Sequence, residues 1–244
     1  MRTMVCTGWN PDGSKQYGRR FLASFDRHWP ASVELQVYVE TPEPMPRAAC
    51  RSLWDIPHAR EVAGAMQMDE RFAGTVPFER WKAKHRKEGY NFRFDARKFW
   101  KQILIPGQAA EGLGVGDVLI WLDGDVETIG AVPADFPRNL LGRNGDVAFL
   151  GRGEKHSEIG FWAIRINEAT RRFLACMARF YTSGGFAHLD EWHSAYVWDQ
   201  ARGLVEMNEV NLTHPRAHGH VWPSSPLARY MRHDKGRRKP GGTR

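Results

Sequence analysis

Cysteine is scarce: Cys6, Cys50 and Cys176 are the only three in 244 residues, widely spaced and without a Cys-x-x-Cys pair. That scattered, odd set excludes a disulfide framework and a thiolate zinc knuckle, so the three read as free thiols. Long apolar runs are missing as well. No segment has the length or purity of a membrane span, and no leader-like apolar core follows Met1-Arg2, so the expectation is a protein without membrane insertion that works in the cytoplasm. Internal repeats are absent, and low complexity is confined to Lys235-Gly236-Arg237-Arg238-Lys239-Pro240-Gly241-Gly242. The length suits one well-buried α/β domain and is too short for two large ones.

Charge is present in excess of one sign and unevenly placed. The formal net charge is +7, yet residues 80–101 carry nine Lys/Arg against two acids and residues 232–244 carry six against one. These two segments sum to +12, leaving the remainder at −5. Concentrated cations of this kind suit a polyanionic partner, such as a nucleotide diphosphate, a nucleic acid or an anionic surface. A solvated helix face and a basic tail would give the same composition.

Hydrophobic periodicity predicts an opening strand at Met4–Gly8, a turn through Trp9–Ser14, and an amphipathic helix carrying Tyr17, Phe21, Leu22 and Phe25. Val33–Val39 alternates as a strand should, completing a strand-helix-strand unit of a parallel sheet. Residues 41–90 read as irregular, with a helix around Arg47–Trp54. A helix is expected over Phe94–Ile105, stopped by Pro106. Further on the pattern predicts an apolar strand at Val118–Trp121, a short helix near Asp135–Leu141, strands at Val147–Leu150 and Ile159–Ile166, and helices over Glu168–Tyr181 and Trp192–Arg202.

The strongest chemical signal is Asp123-Gly124-Asp125, directly after that apolar strand. Ligands of open α/β sheets sit beyond the carboxyl ends of strands. Alternate residues of an extended chain face the same side, so both carboxylates can meet one hard divalent ion that keeps positions open for phosphate oxygens. By itself the tripeptide could equally be a solvated turn. His233 is the candidate third ligand; it opens a stretch in which Gly236 lets backbone approach a pyrophosphate and Lys239 offsets developing negative charge. Two carboxylates and an imidazole suit manganese at least as well as magnesium.

Read together, the Asp-x-Asp strand and His233-x-x-Gly236-x-x-Lys239-Pro240 resemble the metal and diphosphate signature of GT-A-fold, nucleotide-sugar-dependent glycosyltransferases, notably the glycogenin and galactosyltransferase-like group. Lys98-Phe99, eight residues before Pro106, matches a third feature of that group. The resemblance spans roughly residues 91–240 as short motifs separated by unmatched sequence. It implies a GT-A-like (Rossmann-like) α/β fold with a mixed, mostly parallel sheet flanked by helices. Residues 1–231 would form a single catalytic domain, and the basic segment 232–244 would close over the donor diphosphate. The donor would be a UDP-sugar and the ion Mn2+ or Mg2+. Asp123 would contact the ribose or the metal, Asp125 and His233 the metal, and Lys98 or its neighbour Arg97 the sugar or phosphates. Thr7 and Gly8 would cradle the nucleoside.

Two constellations lie where such enzymes bind acceptor. Ser157-Glu158-Ile159-Gly160-Phe161-Trp162 offers Glu158 and Trp162, and His188-Leu189-Asp190-Glu191-Trp192-His193 offers Trp192 and His193 beside Asp190 and Glu191, either of which could serve as catalytic base if the reaction inverts. Asp190 and Glu191 could also be helix-start carboxylates. With Asn91–Phe99, these segments are similar to small phage-type, TET-associated glycosyltransferases that act on hydroxymethylated cytosine in DNA. That resemblance implies DNA as acceptor, a role for segment 80–101 on phosphates, base stacking by Trp81, Tyr90, Trp162 or Trp192, and a host cytoplasmic setting if the gene is phage-borne. A glycan, protein or lipid-linked acceptor with the same donor chemistry is the competing reading, and a non-catalytic nucleic-acid-binding module a lesser one. A metal-dependent nuclease gives no reason for the terminal His-Gly-Lys-Pro pattern and ranks below both transferase readings.

Overall fold

In the computed structural model, residues 1–75, 90–153 and 155–233 are described. The first strand, β1 (Thr3–Trp9), leads through a helical turn at Pro11–Gly13 and a π-helical turn at Ser14–Gly18 into α1 (Arg19–His28), then β2 (Val33–Val39). A short edge strand, β3 (Ala49–Ser52), precedes α2 (Ala59–Met68) and the long α3 (Ala96–Glu111). Next come β4 (Val118–Leu122), β5 (Val126–Thr128), α4 (Phe136–Leu141), β6 (Val147–Arg152) and β7 (Lys155–Arg165). The described chain ends with α5 (Glu168–Thr182), α6 (Ser194–Leu204), β8 (Glu209–Asn211) and β9 (Met231–His233).

Among the described residues, seven strands form one sheet in the order β3-β2-β1-β4-β7-β6-β8, and β5 pairs with β9 in a small second sheet. Every pair in the main sheet is parallel except β4 with β7 and β7 with β6. The expected mixed, mostly parallel sheet flanked by helices is therefore present. Its central strands are apolar on both faces because both faces are covered. On β4, Leu119 and Trp121 join Met4, Cys6 and the apolar sides of α2, α3, α5 and α6 in one core; Val118, Ile120 and Leu122 join Val5, Val37, Phe21, Phe25 and Trp29 in the other. All three cysteines are free thiols, with Cys6 inside the first core, where burial pushes its thiol pKa up. No described helix is long and apolar enough to cross a membrane.

Three expectations need correction. Residues 41–90, read as irregular, contain the ten-residue helix α2. Residues 49–52 are a strand and not part of a helix: they pair in parallel register with Gln36–Val39, and the edge of the sheet overrides local propensity. Nor does Pro106 stop α3, which runs on to Glu111 with Pro106 buried inside it. Proline removes one backbone donor, the one that would bond the carbonyl of Gln102, but burial of Ile105, Ala109 and Ala110 against the core carries the helix past the gap.

Candidate active site

β4 ends at Leu122, and Asp123 and Asp125 follow on the turn into β5. Asp123 is held from three sides: its N–H donates to the Gly160 carbonyl at 2.9 Å, and its Oδ1 accepts from Trp121 Nε1 at 2.8 Å and Gln102 Nε2 at 2.9 Å. The register of the small sheet sets Val126 opposite His233, which returns the far end of the described chain to the aspartates. His233 Nε2 lies 3.0 Å from Asp125 Oδ1 and 4.0 Å from Asp123 Oδ2. On the other side of the ring, Nδ1 stands 3.9 Å from Glu158 Oε1. Further ties hold β9 in place: Trp222 Nε1 donates to the Met231 carbonyl at 3.1 Å, and Arg232 pairs with Glu127 at 2.7 Å.

Two glycines are required by this packing. A Cβ on Gly160 would lie 2.7 Å from the His233 ring and 3.3 Å from Asp123 Oδ2. One on Gly124 would lie 2.8 Å from Tyr17 and 2.9 Å from Trp9. Burial, then the charges of Asp125 and Asp123, push the Tyr17 phenol up to about 12, so it stays protonated at neutral pH. One oxygen from each aspartate and one His233 nitrogen all fall within 4.8 Å of one another. Two carboxylates and an imidazole fit a divalent cation such as Mn2+ or Mg2+, and the buried Glu158 behind His233 is placed as the outer carboxylate of such sites commonly is.

Glu158 reaches this place through an irregularity in β7. Phe149 of β6 pairs with Trp162, but the next residue, Leu150, pairs with Glu158, so three residues of β7 bulge out and bring Gly160 to the aspartates. Glu158 is 2% exposed, accepts from the Gly160 N–H at 3.2 Å and lies 3.8 Å from Arg152. Its position is therefore behind the metal-capable group and away from solvent.

Beside this centre, at the carboxyl ends of β1 and β2, lies a pocket of about 400 Å³ lined by Trp9, Asn10, Lys15, Arg19, Glu40 and Thr41 among others. Trp9 connects the two, since it lines the pocket and packs on Gly124. Thr7 is fully buried, and Gly8 leaves no room for a Cβ against Ile105 and the Tyr38 carbonyl. Both therefore support the strand behind the pocket, which opens at the residues that follow them.

Other expected site residues separate by environment. Arg97 donates to the carbonyls of Met66, Gln67 and Asp69 at 2.7–3.2 Å and so closes the end of α2. Lys98 is exposed, with Nζ 5.4 Å from the centre of the Phe99 ring. Trp162 and Trp192, expected as acceptor platforms, are only 1% and 2% exposed, and Trp192 sits among Phe72, Phe94 and Phe186. Neither offers a face to a base or a sugar as the chain stands. Exposed aromatic surface is found instead at Tyr90 and Phe92. Gly236, Lys239, Trp81 and the basic residues of 80–89 lie outside the described residues.

Glu191 and His193 belong to a second polar group, with His156. Glu191 Oε2 is 3.1 Å from His156 Nε2 and 2.9 Å from His193 Nε2, while Oε1 accepts from Arg93 at 2.8 Å. Burial pushes the Glu191 carboxyl up, but the bonds from His156 and His193 and the charge of Arg93 outweigh it and hold the group well below the usual carboxylate range. Burial pulls the His193 imidazole down, against the opposing pull of Glu191. Asp190, its sequence neighbour, is exposed. Gln102 spans the two groups: its Nε2 donates to Asp123 and its Oε1 accepts from Ser194 Oγ, next to His193. Sequence reasoning missed Gln102, His156 and Ser194, which follow no spacing pattern, and read Arg93 only as part of the basic segment; the fold brings the four together.

No protein-family profile matches the chain, and no curated protein matches it in sequence. Solved structures match it in fold. A glycosyltransferase involved in the glycosylation of the major capsid of PBCV-1 superposes with a TM-score of 0.54 at 12% identity, over 98% of this chain and 96% of that one. The apo structure of the bifunctional glycosyltransferase WbbM superposes with a TM-score of 0.51 at 10% identity, over 98% of this chain and 46% of that one. At such identities the likeness establishes a GT-A-like fold and leaves the chemistry to the residues.

Proposed function

We propose that this protein is a metal-dependent glycosyltransferase that moves a sugar from a UDP-sugar to a hydroxyl acceptor. The observation that carries this reading is the convergence of Asp123, Asp125 and His233 beyond the end of β4, beside the open pocket at the ends of β1 and β2. In α/β sheets this is where nucleotide ligands bind. The glycosyltransferase structures that share the fold add to it.

Transfer breaks the bond between the anomeric carbon and the diphosphate oxygen, forms one to the acceptor oxygen, and releases the acceptor proton. A manganese or magnesium ion held by Asp123, Asp125 and His233 would supply positive charge to the departing diphosphate. Trp121 and Gln102 fix Asp123, and β9 pairing fixes His233, so these ligands need little rearrangement. Lys239 and Gly236 approach the diphosphate in this reading, with Lys98 as the exposed cation nearest in sequence to Gln102. On the acceptor side, both oxygens of Glu191 are engaged by Arg93, His156 and His193, and the base role is assigned to the exposed Asp190 beside it.

For the acceptor we propose 5-hydroxymethylcytosine in DNA. The concentrated positive charge of residues 80–101 and 232–244 supports it, as do the exposed Tyr90 and Phe92. One observation favours a glycan or protein acceptor instead: Arg93, Arg97 and Lys101 of the basic segment bond to Glu191, to backbone carbonyls and to Glu40. Incubation with manganese, a panel of UDP-sugars and duplex DNA containing cytosine or 5-hydroxymethylcytosine, followed by nucleoside mass spectrometry, tests the proposal. A sugar mass on the hydroxymethylated base alone is expected. Free UDP with unmodified DNA would move the acceptor to glycans or proteins, and no UDP from any donor would overturn the transferase reading.

A further inference from the structure

We infer that His156, Glu191 and His193 form a second cation site, selective for a borderline divalent ion of the zinc class and separate from the Asp123–Asp125–His233 centre. The two imidazoles come from different parts of the chain, His156 from the start of β7 and His193 from the residue before α6, yet each presents Nε2 to the same oxygen, Glu191 Oε2, at 3.1 and 2.9 Å. All three ligand atoms lie within 4.8 Å of one another. Two imidazoles and one carboxylate are a donor set found in zinc sites, softer than the Asp-Asp-His set beside β4.

The surroundings hold these atoms inward. Arg93 occupies the other oxygen of Glu191 at 2.8 Å, so Oε2 is the one turned to the imidazoles. The Arg93 carbonyl accepts from the N–H groups of Trp192 and His193 at 2.7 and 3.1 Å, fixing the backbone that carries two of the ligands. His156 Nδ1 is 4.0 Å from Asp199 Oδ2, and Asp199 is itself anchored by the N–H and hydroxyl of Ser157 at 2.8 and 2.7 Å. A carboxylate behind a ligating histidine and a partner on a ligating carboxylate are what orient such ligands. Phe92, Phe99 and Tyr196 supply aromatic walls. Entry is from the His156 side: its side chain is 30% exposed, against 6% for His193.

Nothing in this inference depends on sugar transfer, so it can fail or hold independently of the proposed function. The experiment uses the full chain, stripped with chelator, in an Asp125→Ala background that disables the first centre. Zinc bound after equilibrium dialysis is counted by elemental analysis, and cobalt serves as the visible-absorption probe. One equivalent of zinc is expected, with a cobalt ligand-field band of low-coordinate intensity. Adding His156→Ala should lower zinc affinity by at least about tenfold and remove the band. Glu191→Gln is the second variant, with native circular dichroism required of both. Failure of the Asp125→Ala protein to retain zinc, or retention unchanged by His156→Ala and by Glu191→Gln, would overturn the inference and leave the triad a hydrogen-bonded cluster only.

Discussion

Gly160 has a hydrogen where any other residue would place a carbon 2.7 Å from the His233 ring. The ring is nearly fully buried and tied through β9, so it has little room to give. Gly160→Ala is therefore expected to weaken manganese affinity at least about tenfold, with a stability loss of about 1–3 kcal/mol from overpacking, read by calorimetric titration and denaturant unfolding. Unchanged affinity would show that His233 is not held against Gly160. Arg97 and Lys98 separate in the same way. Arg97→Ala is expected to cost about 1–3 kcal/mol of stability, because it bonds three backbone carbonyls, with the donor KM little changed. Lys98→Ala should leave stability within about 0.5 kcal/mol and raise the donor KM. The residues of this metal-capable group could be picked out at this scale: Asp123 and Asp125 stand at a strand end, and His233 opens a spaced motif. Gln102 and His156 were not, since a single glutamine or histidine gains meaning only from what the fold sets beside it.

Elements follow burial more than local signals. Pro106 inside α3 and the strand at Ala49–Ser52 were misread for the same reason, that tertiary contact outweighed a local preference of a few kcal/mol. Strands whose every residue is apolar, such as β4, were readable because burial on both faces leaves no other composition. The entry to β4 gives a pH prediction. Asp117 accepts from the Arg2 N–H at 2.6 Å and the Gly114 N–H at 3.0 Å, pinning the start of β1 to the turn before β4. The Arg2 bond foremost, with that of Gly114, holds its carboxyl below the usual range against the cost of desolvation. A depressed carboxyl stabilises the fold above its unfolded pKa, near 3.9, and the gain is lost as pH falls through the folded value. Asp117→Asn should accordingly lower stability by roughly 1 kcal/mol at pH 7 and flatten the decline below about pH 4. Parallel acid-unfolding curves of variant and parent would contradict this.

At the scale of the whole molecule, the sheet separates two cores, and the chain closes its own site by returning β9 to β5. Composition indicated a basic molecule, and its arrangement shows why net charge was an incomplete guide: three of the cations in the described part of the basic segment bond inside the protein. The buried tryptophans make the same point, since burial turned expected platforms into core. What the fold does provide is a hard donor set beside an open pocket at the strand ends, which makes metal-dependent chemistry on a nucleotide-sugar the central claim. Its most direct test is UDP release from a panel of UDP-sugars, with and without chelator, by the parent protein and by Asp125→Ala of matched circular dichroism. The account predicts release that manganese restores after chelation and that falls at least about a hundredfold in the variant, equivalent to about 2.7 kcal/mol. Release undiminished by both chelation and Asp125→Ala would contradict it.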